Sequence, residues 1–216
     1  HGLPVPRVLW YGTAIREFMA LEALPGDLLQ NVANPTHPAY DRFRVGRALF
    51  AYGEVLARIH ALPLTWRPQK RAALYWFAGE DQLDDLSFRE VVLWLQTNPP
   101  DPKNQCFVHG DLNPANVLVE NGVVTGLLDW EFAGMGWQEY DLAWVLRARR
   151  NQLQTTQERE AILAGYASIG SYDPDALRWC EVMNYLHVAF WTRESNPAYS
   201  EFCLERARIE MYRGFE

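Results

Sequence analysis

Lysine is nearly absent from this 216-residue chain: of 20 basic side chains only Lys70 and Lys103 are lysine, and the rest are arginine. Basic charge as a whole is short, with 27 acids against it and a net charge of −7. That balance argues against a nucleic-acid surface gripped through phosphates, and it suits a soluble protein or a cationic ligand. Cysteine is scarce too. Cys106, Cys180 and Cys203 are an odd, widely spaced set. They exclude a disulfide framework and a cysteine-built metal site, which makes a reducing cytoplasm the expected location. No stretch approaches the roughly 18 apolar residues of a membrane span, and nothing in these 216 residues reads as a secretory leader. There is no internal repeat and no low-complexity tract. What is present is ordinary for a globular protein: 49% apolar and 13% aromatic residues, in a chain long enough to bury a core without staples.

The hydrophobic pattern changes period along the chain. Val5 to Trp10 and Ile15 to Leu21 read as short strands, closed by the turn signal Pro25-Gly26. Residues 27–40 read as an irregular linker or short helix. Phe43, Leu49, Tyr52, Val55, Leu56 and Ile59 recur at helical spacing and predict a helix over 41–61. Residues 62–82 read as loop. Ser87 and Glu90 form an expected capping box for a helix that stops before Asn98-Pro99-Pro100. Cys106 to Val108 reads as a strand. Val117 to Glu120 and Val123 to Asp129 flank Asn121-Gly122, a pair suited to a type I′ hairpin. Gly134-Met135-Gly136 reads as a tight turn. Helices are expected over 139–150, 156–168, 174–194 and 198–213, with Thr155/Glu158 as a capping box and Asp173-Pro174 and Asn196-Pro197 as helix starts. The fold class expected is α+β.

Chemistry concentrates in His109-Gly110-Asp111-Leu112-Asn113-Pro114-Ala115-Asn116 and in the hairpin end Leu128-Asp129-Trp130-Glu131. Phosphoryl transfer needs a carboxylate to orient the attacking hydroxyl and take its proton, and oxygen ligands to hold Mg2+ against nucleotide phosphates. Asp111 and Asn116 lie five apart on one loop. Asp129 closes a hairpin whose first strand follows Asn116 directly, so three oxygen-bearing side chains converge without long-range assumptions. From average residue usage, a chance match to the loop alone arises in roughly one chain in a thousand of this length, which disfavours an incidental surface loop. A metal-dependent hydrolase built on the same cluster is disfavoured by the lack of a His-rich set.

The loop FVHGDLNPANVLV and the hairpin end LLDWEFAG resemble those of the aminoglycoside phosphotransferase and choline kinase family, small-molecule kinases with a protein-kinase-like fold. Leu3 to Leu9 resembles the entry to the fourth strand of that family's N-terminal lobe. Met19 to Gly26 resembles its hinge, Leu56 to His60 the end of its first long C-lobe helix, and Glu139 to Ala143 the segment whose Asp braces the catalytic loop. The resemblance implies Asp111 as catalytic base and Asn116 and Asp129 as Mg2+ ligands. It places Leu21, Glu22 and Leu24 at the adenine of ATP, and His109 and Asp141 as structural support. It divides the chain into residual N-lobe strands and hinge (1–26) and a catalytic C-terminal lobe (27–216), mainly helical with a β-hairpin layer.

The family's first three strands carry a Gly-rich loop and a phosphate-pairing Lys. Neither lysine of this chain precedes the hinge, so the 216 residues are expected to be an incomplete kinase with little phosphoryl transfer of its own; the alternative is a non-catalytic nucleotide- or small-molecule-binding module on the same fold. The strand edge left without partners invites self-association. In the helix over 174–194, Trp179, Val182, Met183, Leu186 and Phe190 form an apolar core stripe. Asn184, His187, Trp191 and Glu194 form a polar-aromatic stripe that reads either as a solvated, partly packed face or as the lining of an acceptor cleft, and Glu131 reads either as a surface acid or as a group near metal or substrate. The partner expected is a polar or cationic small molecule, with no nucleic acid and no membrane. Aminoglycoside, choline, homoserine, thiamine and a sugar all stay open as acceptors.

Overall fold

The computed structural model describes residues 2–12, 18–38, 40–63, 85–100, 105–147 and 155–213. The loop expected over 62–82 therefore falls almost wholly outside the described residues, as do the first half of the expected second strand and the end of the helix expected over 139–150. The described elements run β1 Val8–Gly12, β2 Phe18–Leu21, β3 Asp27–Leu28, α1 Leu29–Val32, α2 Arg42–His60, α3 Leu86–Thr97, β4 Gln105–Val108, a 3₁₀ turn Pro114–Asn116, β5 Val117–Glu120, β6 Val123–Leu127, β7 Gly134–Trp137, α4 Gln138–Leu146, α5 Thr156–Ala167, α6 Pro174–Thr192 and α7 Pro197–Tyr212. The class is α+β. Residues group into two compact units, one of 1–62, 111–131 and 148–170, the other of 63–110, 132–147 and 171–216.

In the first unit α2 is the organising helix. Asp41 caps it, accepting from the amides of Phe43 (2.9 Å) and Arg44 (3.1 Å), which satisfies donors the helix leaves open. Leu49, Tyr52, Leu56 and Ile59 are buried as the spacing predicts, each aliphatic side chain contributing about 1.5–3 kcal/mol. Phe43 departs from the pattern: it sits in the first turn and is 87% exposed. Against α2 packs α5, with Gly53 and Gly165 at the crossing. A Cβ at Gly53 would lie 2.0 Å from the Ile162 carbonyl oxygen, and one at Gly165 1.9 Å from that of Phe50, so only glycine admits this approach. Thr155 and Glu158 form the expected capping box of α5.

Strands β5 and β6 pair antiparallel, with Val117 opposite Leu127 and Glu120 opposite Val123. Asn121 (φ 53°) and Gly122 (φ 81°) both take the left-handed region, as a type I′ turn requires. β3 extends this sheet by pairing with β5, and the Leu127 amide donates to the Pro4 carbonyl (2.8 Å). β1 and β2 form a separate two-stranded ribbon. Val8, Leu9, Trp10, Tyr11 and Met19 on it are all more than half exposed.

In the second unit β4 pairs antiparallel with β7, Val108 opposite Gly134 and Gln105 opposite Trp137. The tight turn expected at Gly134-Met135-Gly136 is thus a strand. Its alternate glycines are buried, and the apolar strand at 105–108 supplies the ladder that local propensity does not reveal. The box expected at Ser87/Glu90 is also replaced. Asp85 caps α3 by accepting from the Ser87 amide (2.9 Å), while Glu90 is drawn to α7, accepting from the Tyr212 hydroxyl and pairing with Arg208 (3.4 Å). Asp173 and Asn196 cap α6 and α7 as expected. α6 is buried around most of its circumference, and the Trp179 indole donates to the Leu95 carbonyl (2.9 Å). Cys180 and Cys203 are buried, and burial pushes both thiols up.

Candidate active site

The loop from Leu112 to Asn116 is built from its own short-range bonds. Leu112 is fully buried, and its carbonyl accepts from the hydroxyl of Tyr52, a fully buried residue in the middle of α2. Asn113 starts the 3₁₀ turn: its Oδ1 accepts from the Ala115 amide (2.8 Å), with Pro114 in the first position. The Asn116 Nδ2 donates both to the Asp111 carbonyl (2.8 Å) and to Asp111 Oδ2 (3.2 Å). The Asn113 Nδ2 donates to Asp111 Oδ1 (3.0 Å). Each oxygen of the Asp111 carboxylate therefore receives an amide N–H.

The hairpin returns to this loop. Leu127 is the last paired residue of β6, and the next amide, that of Leu128, donates to the Asn116 carbonyl (2.9 Å). Asp129 is thus one residue beyond a backbone bond to Asn116. It is exposed and holds φ 60°, a left-handed conformation that costs a non-glycine residue about 1 kcal/mol or more and that Asp tolerates better than most. Trp130 is tied back by its indole donating to the Leu127 carbonyl (3.2 Å). Glu131 is exposed.

On the other unit, Asp141 is fully buried near the start of α4 and accepts from the amides of His109 (2.8 Å) and Gly110 (2.9 Å). His109 is fully buried as well. Gly110 holds φ 84°, and a Cβ there would lie 2.3 Å from the Phe132 carbonyl oxygen. The backbone immediately before Asp111 is thereby fixed from both sides, by a carboxylate and by a neighbour that leaves room for hydrogen only.

At the hinge segment Glu22 is held by Arg7 in a forked pair, Nε to Oε2 at 2.9 Å and Nη2 to Oε1 at 3.1 Å. Those bonds hold the Glu22 carboxyl below the usual range. The Glu22 amide donates to the Arg7 carbonyl (2.9 Å). Leu21 is exposed and Leu24 half-buried.

The four residues expected to share one acceptor stripe on α6 do not share one environment. Asn184 is buried and its Nδ2 donates to the Tyr140 carbonyl (3.4 Å). His187 is half-buried, and burial first, then Arg147, hold its imidazole below the ordinary value. Trp191 is exposed, with its ring edge-on to His187 at 5.7 Å, and Glu194 is exposed beside Arg193. Arg147, which sequence reasoning did not single out, is buried at the end of α4 over the Trp144 ring (4.3 Å), with Nη1 donating to the Tyr199 hydroxyl (3.4 Å). Tyr52 was missed in the same way: at helical spacing it reads only as core.

Asn116 and Asp129 offer hard oxygen ligands, but only one carboxylate. Among the described residues no group of three or more His, Cys, Asp or Glu side chains is placed to hold a metal. That donor set fits a cation that arrives with substrate phosphates, as Mg2+ commonly does, and not a resident all-protein site.

Comparison with known proteins agrees with the fold. The sequence pattern of the phosphotransferase enzyme family matches residues 1–180. The chain is 30% identical over 165 residues to the aminoglycoside 3'-phosphotransferase of Streptomyces fradiae, covering 68% of this chain and 59% of that protein. It is 28% identical over 138 residues to the homoserine kinase of Polaromonas naphthalenivorans, covering 54% and 43% respectively. It therefore spans well under two thirds of the length of these curated relatives. A thermostable mutant of an aminoglycoside phosphotransferase, solved in ternary complex with ADP and hygromycin B, is similar in structure with a TM-score of 0.73 at 17% identity, covering 99% of this chain and 78% of that one.

Proposed function

The chain belongs to the phosphotransferase enzyme family, and on that premise we propose that the protein transfers the γ-phosphoryl group of ATP to a hydroxyl of a small polar molecule, with Asp111 as the base. The observation that carries this reading is the orientation of Asn116. Both bonds from its Nδ2 end on Asp111, so the other end of the amide, Oδ1, is turned away from the carboxylate. An acid-amide pair in which the acid is held and the amide oxygen is presented is the division of labour phosphoryl transfer asks for.

In this reading the acceptor O–H donates to an Asp111 oxygen, which takes the proton as the hydroxyl oxygen attacks. The acceptor oxygen bonds to the γ-phosphorus as the bond to the β-phosphate bridging oxygen breaks, and ADP departs. Asn116 Oδ1 and the Asp129 carboxylate would hold Mg2+, which would neutralise charge on the phosphates. The Glu22 amide is taken by the Arg7 carbonyl, and the backbone groups proposed to meet adenine are the Glu22 carbonyl and the Leu24 amide, beside Leu21. His109 and Asp141 hold the loop and do not touch substrate. On α6, His187, Trp191 and Glu194 are the residues proposed to meet the acceptor, with Trp191 able to meet a cation through its ring; Glu131 is proposed for that role at the hairpin end of its own unit. Asn184, spent on the Tyr140 carbonyl, serves packing.

The test is a titration of the full-length protein with ATP in the presence and absence of Mg2+, followed by transfer assays of that protein on aminoglycoside and homoserine acceptors. Binding that requires the metal and is lost in Asp129→Asn, with transfer lost in Asp111→Asn, supports the reading. Metal-independent binding, or transfer unaffected by Asp111→Asn, overturns it.

A further inference from the structure

We infer that Asn113 is a positioning residue for Asp111, a role that rests on Asp111 being the base. The Asn113 side chain is used at both ends. Its Oδ1 accepts from the Ala115 amide (2.8 Å) and its Nδ2 donates to Asp111 Oδ1 (3.0 Å). The first bond settles which way the amide points, because only its oxygen accepts an N–H, and the nitrogen must then face the carboxylate. Asn116 fixes the second carboxylate oxygen in the same manner (3.2 Å). Two donors on two oxygens fix both the χ1 rotamer and the plane of the carboxylate, whereas with one donor the group can turn about its Cα–Cβ and Cβ–Cγ bonds.

The anchor behind Asn113 is rigid. Its amide donates to the Asp111 carbonyl (2.8 Å), the Asn116 amide donates to its carbonyl (2.9 Å), and Pro114 follows it. A residue serving only as the cap of the 3₁₀ turn needs an acceptor there, and Asp or Ser satisfies that need as well as Asn. The amide donor is what Asn adds, and it is aimed at the one carboxylate whose direction decides whether an acceptor hydroxyl is aligned.

The two uses are separable by substitution. Asn113→Asp keeps the cap acceptor and removes the donor. Asn113→Ser keeps the cap acceptor and replaces the amide donor with a shorter hydroxyl, without placing a second charge beside Asp111, and serves if the first variant does not fold. The primary reading is the set of three-bond couplings from the backbone nitrogen and carbonyl carbon of Asp111 to its Cγ, which report the χ1 rotamer and need no turnover. The wild-type chain should give single-rotamer couplings and the variant averaged ones, with the backbone spectrum elsewhere unchanged. Transfer, measured on the same proteins, should lose at least about tenfold in kcat with KM for the acceptor preserved, since angular misplacement of a reacting group costs rate and not binding. Single-rotamer couplings for Asp111 in the folded variant overturn the inference. If Asp111→Asn leaves transfer intact while the couplings average as expected, the base assignment fails and the positioning geometry stands.

Discussion

The hydroxyl of Tyr52 donates to the carbonyl of Leu112, sixty residues away in sequence. It connects the middle of the longest helix of the first unit to the residue that follows Asp111. Both side chains are fully buried, so the bond lies where water cannot substitute for it, and the direction of the loop is referred to a rigid helix instead of to the loop's own turns.

Tyr52→Phe keeps the ring and removes that donor. Leaving the Leu112 carbonyl without it in a buried setting costs about 1–3 kcal/mol. Urea unfolding should show the midpoint falling with the slope unchanged. A loss below about 0.5 kcal/mol would mean that the carbonyl finds another donor and that the helix does not anchor the loop.

Asp141→Asn tests the other support. A carboxylate presents two oxygens to the amides of His109 and Gly110, and a carboxamide presents one oxygen and a second donor. One of the two backbone amides must then face an N–H. The expected loss is about 2–3 kcal/mol. Hydrogen exchange gives the local check: protection at His109 and Gly110 should fall more than at the β5–β6 hairpin. Equal protection in both proteins would remove Asp141 as the holder of that backbone.

Much of this was legible from the residues, and what escaped did so for identifiable reasons. Helix starts at Thr155, Asp173 and Asn196 were readable because a cap is local chemistry between a side chain and the next three amides. The Asn121-Gly122 turn was readable because few residue pairs tolerate two left-handed positions. β7 was not, since two glycines carry no strand propensity and its pairing with β4 is a tertiary fact. The box at Ser87/Glu90 failed because Asp85 caps two residues earlier and Glu90 has partners on α7. Within the site, the loop and hairpin spacing brought Asp129 to Asn116. The burial of Asn184 was not readable: a polar residue on a helix face shows no sequence sign of a backbone carbonyl waiting for it, and Tyr140 is 44 residues away.

Gly110→Ala should be among the most damaging single changes in the protein. The residue combines φ 84° with a Cβ position 2.3 Å from a backbone carbonyl oxygen. A left-handed alanine costs about 1–2 kcal/mol, and the contact with Phe132 forces backbone, not a side-chain tip, to move. Loss of soluble protein or a fall in stability beyond about 3 kcal/mol is expected, within the range reserved for strain and overpacking. Wild-type stability in the variant would show that the Gly110–Phe132 approach is looser than described.

His187 is expected to make the second unit less stable toward acid. Burial, and after it the positive charge of Arg147, both disfavour its imidazolium, so it takes a proton at lower pH in the folded chain than its ordinary 6.5. Between those two values the unfolded chain binds more protons than the folded one, and stability must fall as pH falls. Above about 6.5 neither state is protonated at this site and the effect vanishes. The lowered carboxyls of Glu22 and Asp41, whose ordinary values are 4.5 and 3.8, act the same way only at more acid pH. Denaturation midpoints measured as pH is lowered from about 6.5 should decline in the wild-type protein and decline less in His187→Gln, which cannot charge. The imidazole C2 proton followed by NMR should titrate below 6.5, and Arg147→Met should move that titration upward. A His187 midpoint at or above 6.5, or identical slopes with and without the histidine, would show that neither burial nor Arg147 governs its charge.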